Sequence, residues 1–166
     1  MKISLDIKTR WIVSKYKSGS KKPYEKVIAD GNLVVLGGME FLLNTLRYSS
    51  ENFASPFVSI IVGDGGGLTD PTDTFLHGSN TFEKDLYYMW NSVYNDSKIV
   101  YGILHFLSIF EESDANFDWN EVGLYKATGY GSFLINRKTF TFGTKTNGEI
   151  WHCFVMLIFV SDGNVP

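Results

Sequence analysis

FVSIIVGDGGGLTDPTDTFL, residues Phe57–Leu76, decides how this chain is read. An apolar run (Phe57, Val58, Ile60, Ile61, Val62) breaks abruptly into Gly63-Asp64-Gly65-Gly66-Gly67. Leu68-Thr69-Asp70-Pro71-Thr72-Asp73 follows, and the stretch closes on Phe75 and Leu76. A short apolar run bounded by turn residues predicts a buried strand that feeds a polar, glycine-rich loop. The loop is either a ligand site or a structural corner, and its neighbours decide which.

A phosphate-binding loop needs Lys-Ser/Thr after the glycines and a helix starting there. Leu68-Thr69-Asp70-Pro71 stands in that place, and the nearby carboxylates repel phosphate. Asp64, Asp70 and Asp73 are candidate oxygen ligands for calcium, but their spacing matches no EF-hand loop. Asp70-Pro71 also reads as a turn initiator, with Asp64 and Asp73 capping local N–H groups. The three histidines, His77, His105 and His152, occur in no metal-ligand spacing. No G-x-S-x-G elbow occurs. Cys153 is the single cysteine, so no intrachain disulfide or thiolate cluster forms, and it is expected as a small buried hydrophobe. No cofactor or enzymatic activity is expected.

Outward from this stretch, the chain reads as strands. Ile3, Leu5 and Ile7 alternate with polar residues, Trp11 and Val13 continue that face, and Tyr24–Ala29 returns. Residues 1–30 are therefore expected as an N-terminal hairpin or arm, able to add a strand to a neighbouring subunit, and residues 31–166 as the main domain. Lys15, Lys17, Lys21, Lys22 and Lys26 mark a solvated hairpin tip. After Gly37-Gly38, Met39, Leu42, Leu43 and Leu46 form one apolar stripe at helical spacing, which predicts a core-packed helix ending near residues 48–52. Glu40 and Arg47 are placed in its first and last turns, in keeping with the helix dipole. Residues 82–94 have mixed strand and helix character and are read as a strand. Lys98–Phe110 is apolar on both alternating sets, as in a strand buried on both faces by the sandwich, the helix or another subunit. Asn147-Gly148 between Phe133–Phe142 and Glu149–Val160 signals a hairpin turn. Seven to nine strands with one helix predict a mainly β fold, an antiparallel β-sandwich of jelly-roll-like character.

The 166 residues are 44% hydrophobic, and the formal net charge is −3. That balance supplies no basic footprint for nucleic acid. No apolar run approaches the roughly 18 residues of a membrane helix, and no leader peptide is visible. Neither nucleic acid nor membrane is expected as a partner. Aromatics reach 16% of the chain, which suits both strands and large subunit contacts.

Four segments in order resemble small structural proteins of tailed bacteriophages. VVLGGMEFLLNTL (34–46) resembles their glycine-led helix, and IIVGDGGGLTDPTDTFL (60–76) their strand-to-loop segment. NEVGLY (120–125) matches an internal strand, and FLINRKTF with TKTNGEIWHCFVMLIF resembles the closing hairpin. Gly65-Gly66-Gly67 departs from the usual Gly-Thr-rich loop, and residues 82–94 match poorly. The resemblance implies a non-enzymatic virion component, from tail, fibre or head decoration, assembled in the host cytoplasm. It implies a homo-oligomer (trimer or ring) in contact with other virion proteins. On this reading the loop is a rigid corner whose glycines supply positive φ or close approach. Gly65, Gly66, Leu68, Asp70, Pro71, Phe75 and Trp119 are the expected interface. The alternative is a glycan-binding fibre module using Trp90, Trp119 or Trp151 as a stacking platform.

Overall fold

The computed structural model describes residues 4–31, 33–47, 58–96, 99–128 and 131–162. Two five-stranded antiparallel sheets pack face to face, with one helix, as the β-sandwich expectation requires. The first sheet runs β2 (Glu25–Asp30), β1 (Ser4–Lys17), β10 (Glu149–Asp162), β7 (Ile99–Phe110), β6 (Tyr88–Asp96). The second runs β3 (Leu33–Val34), β9 (Gly131–Thr144), β8 (Asp118–Thr128), β4 (Val58–Gly63), β5 (Thr81–Asp85). The pairs β1·β10, β3·β9, β4·β8 and β6·β7 are nested in sequence like a rolled ribbon, the feature that a jelly-roll-like reading anticipates. Strands β2 and β5 extend the sheets at their edges.

Between the sheets lies an aromatic core. Trp11, Val13, Phe106, Phe110, Trp151, Cys153 and Val155 enter from the first sheet, and Ile60, Val62, Trp119, Val122, Leu124 and Phe142 from the second. Trp119 meets Phe110 and Trp151 edge-on, with centroids 4.6 and 4.8 Å away. Such pairs add to the area they bury. Burial raises the Cys153 thiol pKa, which leaves it the inert hydrophobe expected.

The second sheet is also covered on its outer side. Beneath the loop of residues 64–80 lies a second cluster of Val35, Ile61, Leu76 and Leu134, whereas helix α1 (Leu36–Arg47) sends Phe41 into the core between the sheets. All six residues of β4 are consequently buried. Among the described residues no such layer covers the outer face of the first sheet. The second apolar set of β7 (Ile103, Leu107, Ile109) points there, half-buried beside Phe154, Met156 and Ile12.

Several expectations change. The expected N-terminal hairpin forms, β1 pairing antiparallel with β2, and it is built into the sandwich: β1 also pairs with β10, and Trp11 and Val13 are fully buried in the common core. β1 pairs with β10 along its whole length and with β2 over Arg10–Lys15, and the stretch before Arg10 that stays open on the β2 side carries Asp6 and Lys8. The Lys15–Lys26 region is not a uniformly solvated tip. Lys15 is buried 4.5 Å over the Trp151 ring and 2.8 Å from Glu25, while Lys17 reaches Glu149 at 2.5 Å. Residues 82–94 are split between β5 and β6, which belong to different sheets. Asn147-Gly148 does form a turn, with Gly148 at φ 84°, yet β9 and β10 it joins belong to opposite sheets. Buried Lys145 fixes that corner, donating its N–H to the Phe117 carbonyl and its ammonium to Glu111 O, Glu112 O and Asn116 Oδ1. The strand after the turn is thereby free to pair with β1 and β7.

The helix is rotated relative to its predicted stripe. Phe41 and Leu42 face the core, whereas Met39 is 42% and Leu43 59% exposed. Gly38 sets this rotation: a Cβ there would lie 1.9 Å from the Ile135 carbonyl oxygen, so only glycine lets the first turn rest on β9. The helix begins at Leu36, which places Glu40 beyond the first turn and leaves that turn without an acidic residue. The Leu46 side chain and the predicted helix end at 48–52 lie outside the described residues, as does Phe57.

Candidate functional site

The glycine-rich stretch becomes the connection between β4 and β5, and it folds back over the second sheet. Its two ends are clamped together. Asp64 N–H donates to Asn80 O at 3.1 Å, and the Asp64 carboxylate accepts from Asn80 N–H and Nδ2 at 2.9 and 2.6 Å. Those hydrogen bonds hold the Asp64 carboxyl below its ordinary pKa. Gly65 and Gly78 touch across the neck: a Cβ on Gly65 would come within 2.3 Å of Gly78 N, and one on Gly78 within 2.6 Å of Gly65 N. Gly67 takes φ 95°, whereas Gly66 has open space and an ordinary φ. The glycines thus divide into close-approach, conformational and dispensable positions.

A buried ion network holds the loop down. Arg137, in the middle of β9, and Glu121, in β8, are both fully buried. Glu121 Oε2 accepts from Arg137 Nε and Nη2 at 2.8 and 2.7 Å, and its Oε1 accepts from Gly78 N–H at 2.7 Å. Arg137 Nη1 donates to Asp73 Oδ2 at 2.9 Å and to Leu68 O at 3.2 Å, while Nη2 also reaches Gly66 O at 3.4 Å. Every nitrogen of the guanidinium thereby has an acceptor, the condition under which a buried ion is tolerated. Asp73 also accepts from Asp70 N–H at 2.9 Å and pairs with His77 Nε2 at 2.9 Å. Burial works against the Asp73 charge. Hydrogen bonds from the Asp70 backbone, Arg137 and His77 outweigh it and hold the carboxyl below its ordinary pKa.

Asp70 accepts from Thr72 N–H and Oγ1 at 2.8 and 2.5 Å, the Asx turn that Asp70-Pro71 predicted. The Asp64, Asp70 and Asp73 carboxylates therefore serve the loop backbone and Arg137. Among the described residues no three metal-ligating side chains converge.

Apolar side chains stand among the residues the clamp leaves outside. Leu68 is 93% and Phe75 40% exposed, and Pro71 is exposed beside them. Pro71 O accepts from Leu36 N–H at 2.7 Å, which ties the loop to the start of α1. Leu36, Met39 and Leu43 extend the exposed apolar surface along the helix. A cleft of about 400 Å³ lies on the other side of the loop, lined by Leu33, Gly67, Leu68, Thr69 and Lys138 with Arg137 at its floor. Lys138 Nζ donates to Asp30 O at 2.7 Å, so neither cation of the cleft stands free to bind an anion.

Of the expected interface residues, Gly65, Gly66, Leu68, Asp70, Pro71 and Phe75 belong to this one corner. Trp119 does not: it is fully buried in β8, its indole N–H donating to Ala115 O at 3.0 Å. Its sequence neighbours are polar, which made a strand start look like a loop. Trp151 is equally buried, which leaves Trp90 as the one tryptophan at the surface. Trp90 stacks parallel on His105 at 4.5 Å, beside exposed Tyr88, and His105 Nε2 meets Ser92 Oγ at 2.8 Å. Arg137 and Glu121 escaped sequence reasoning. The available signal was an arginine inside an apolar strand of a chain that carries only three.

No protein-family model matches the chain, and neither the curated proteins nor the solved structures contain a match to it.

Proposed function

We propose that this protein is a non-enzymatic structural component of a tailed-phage virion, docking through the glycine-rich corner into a symmetric oligomer. One observation carries the docking role. A loop that could have remained loose is immobilised by a buried Arg137–Glu121–Asp73 network, and it holds apolar side chains out in solvent: Leu68 and Phe75, beside the adjoining Leu36. Ordering a loop beforehand lowers the entropy that an interface must overcome, and apolar contacts then supply its affinity. The virion assignment is supported by the resemblance of the four segments in order.

The test has two arms. Mass spectrometry of purified particles should find the chain as a stoichiometric component. Leu68→Asp with Leu36→Asp should abolish its incorporation while leaving the isolated chain folded, because both side chains are solvent-exposed. Particles that lack the chain, or that incorporate the double variant normally, contradict the proposal.

A second reading is favoured by the Trp90 platform. Stacked on His105 and flanked by Tyr88, its ring is held flat at the surface, the geometry that suits a sugar face. Glycan-array binding that disappears in Trp90→Ala would favour a fibre receptor module instead.

A further inference from the structure

We infer that the free edge of β6 pairs antiparallel with the same edge of a second copy of this chain, joining the two first sheets into one continuous sheet across a two-fold axis. The inference rests on the oligomeric reading above and names a contact separate from the glycine-rich corner. It comes from comparing the four sheet edges. Strand β2 carries Glu25, Lys26 and Asp30, and β5 carries Glu83, Lys84 and Asp85. Strand β3 is two residues long and pairs with β9 only at Asn136 and Arg137, and the stretch of β9 it leaves open after them begins with the charged Lys138. Edge charges and short edges are how folded proteins prevent strand-to-strand association. The edge of β6 has neither device. Its nine residues, YMWNSVYND, hold no charge before the terminal Asp96 and no proline, and their register with β7 runs without a bulge.

The composition also specifies the occupant. A two-fold contact sets residues of one strand opposite residues of the same strand, so any charge within it risks meeting its own kind. Tyr88–Asn95 contains none. Aromatic and β-branched side chains, which favour cross-strand pairs, occupy both faces: Tyr88, Trp90 and Tyr94 on the outer face and Val93, with the apolar Met89, on the inner one. Val93 is 69% exposed and Tyr94 58%, so apolar area remains for a partner to cover. The edge also continues into the uncovered outer face through Phe154, stacked 5.4 Å from Trp90. A two-fold contact of this kind belongs to a dimer or to a double ring of dihedral symmetry, not to a bare trimer.

The experiment is light scattering with sedimentation velocity on the purified chain, up to about 100 µM, a range that reveals micromolar association. The wild type is expected as a closed species of twice the chain mass, or an even multiple of it. Val93→Lys and, separately, Asn91→Lys should weaken the dissociation constant at least ~10-fold while the circular dichroism spectrum and urea midpoint stay unchanged. A monomer throughout the range, an open-ended polydisperse aggregate, or a dimer indifferent to both lysines overturns the inference. A dimer lost in Leu68→Asp/Leu36→Asp but kept in the β6 variants also overturns it, and leaves the corner as the contact. None of these outcomes bears on whether particles contain the chain.

Discussion

Replacing Arg137 by alanine would leave the Glu121 carboxylate fully buried with the Gly78 N–H as its remaining partner. Breaking a buried ion pair from one side typically costs about 3–5 kcal/mol. Urea denaturation of Arg137→Ala should therefore show a loss of that order, and Arg137→Lys should rescue little of it, because an ammonium cannot span Glu121, Asp73 and the Leu68 carbonyl from one planar fork. A loss below about 1 kcal/mol would mean that the network does not hold the corner. Glu149 offers a test through pH. Burial would raise its carboxyl, but hydrogen bonds from Lys17, the Tyr24 hydroxyl and Thr146 N–H outweigh it and hold the group at about 2 against the ordinary 4.5. The folded-state value is depressed, so the associated stability is complete above pH 4.5 and is lost as the pH falls towards 2. The loss in that window should be about 2–3 kcal/mol, read from urea midpoints against pH, and Glu149→Gln should flatten it. At this scale the sequence was only partly legible. Asp70-Pro71 announced its turn because the Asx interaction is local. Arg137 and Glu121 meet across neighbouring strands, and no local pattern announces that.

Among elements, glycine positions separate close approach from mere loop composition. Gly38→Ala should drive α1 away from β9 and destabilise the fold by about 1–3 kcal/mol, because the new Cβ collides with backbone that has nowhere to move. Gly66→Ala, with open space around it, should leave the urea midpoint unchanged. Equal effects from the two would show that the rotation of α1 is not set by Gly38. That rotation explains why the apolar stripe of the helix was misread. Met39 and Leu43 keep helical spacing, but the glycines turn the opposite side inward, and spacing alone does not say which of two apolar faces a sheet receives. A similar limit applies to Asn147-Gly148. A tight turn is legible from its residues, whereas whether its strands pair depends on Lys145 pinning the corner and on β1 and β7 competing for β10. β1 was legible because its alternation reports burial directly, and β4 because a short apolar run bounded by turn residues marks a fully buried strand.

For the whole molecule, the layering is asymmetric. The second sheet is covered by the core on one side and by the glycine-rich loop on the other, while among the described residues the first sheet keeps an apolar outer face bounded by the uncharged edge of β6. The fold class followed from strand count and spacing. The pairing of strands into two sheets did not, because nested pairs such as β1·β10 join residues from opposite ends of the chain. An apolar second set on β7 was legible, and its meaning depends on what covers it. Both exposed apolar regions, the corner and the β6 side, suit a chain that completes its burial in an assembly. The most direct test of that claim is a cryo-EM reconstruction of the virion in which we propose the chain resides. The account predicts density for the fold in a symmetric arrangement, with Leu68, Phe75 and Leu36 buried against a neighbouring subunit. Density that leaves this corner facing solvent in every copy would contradict it.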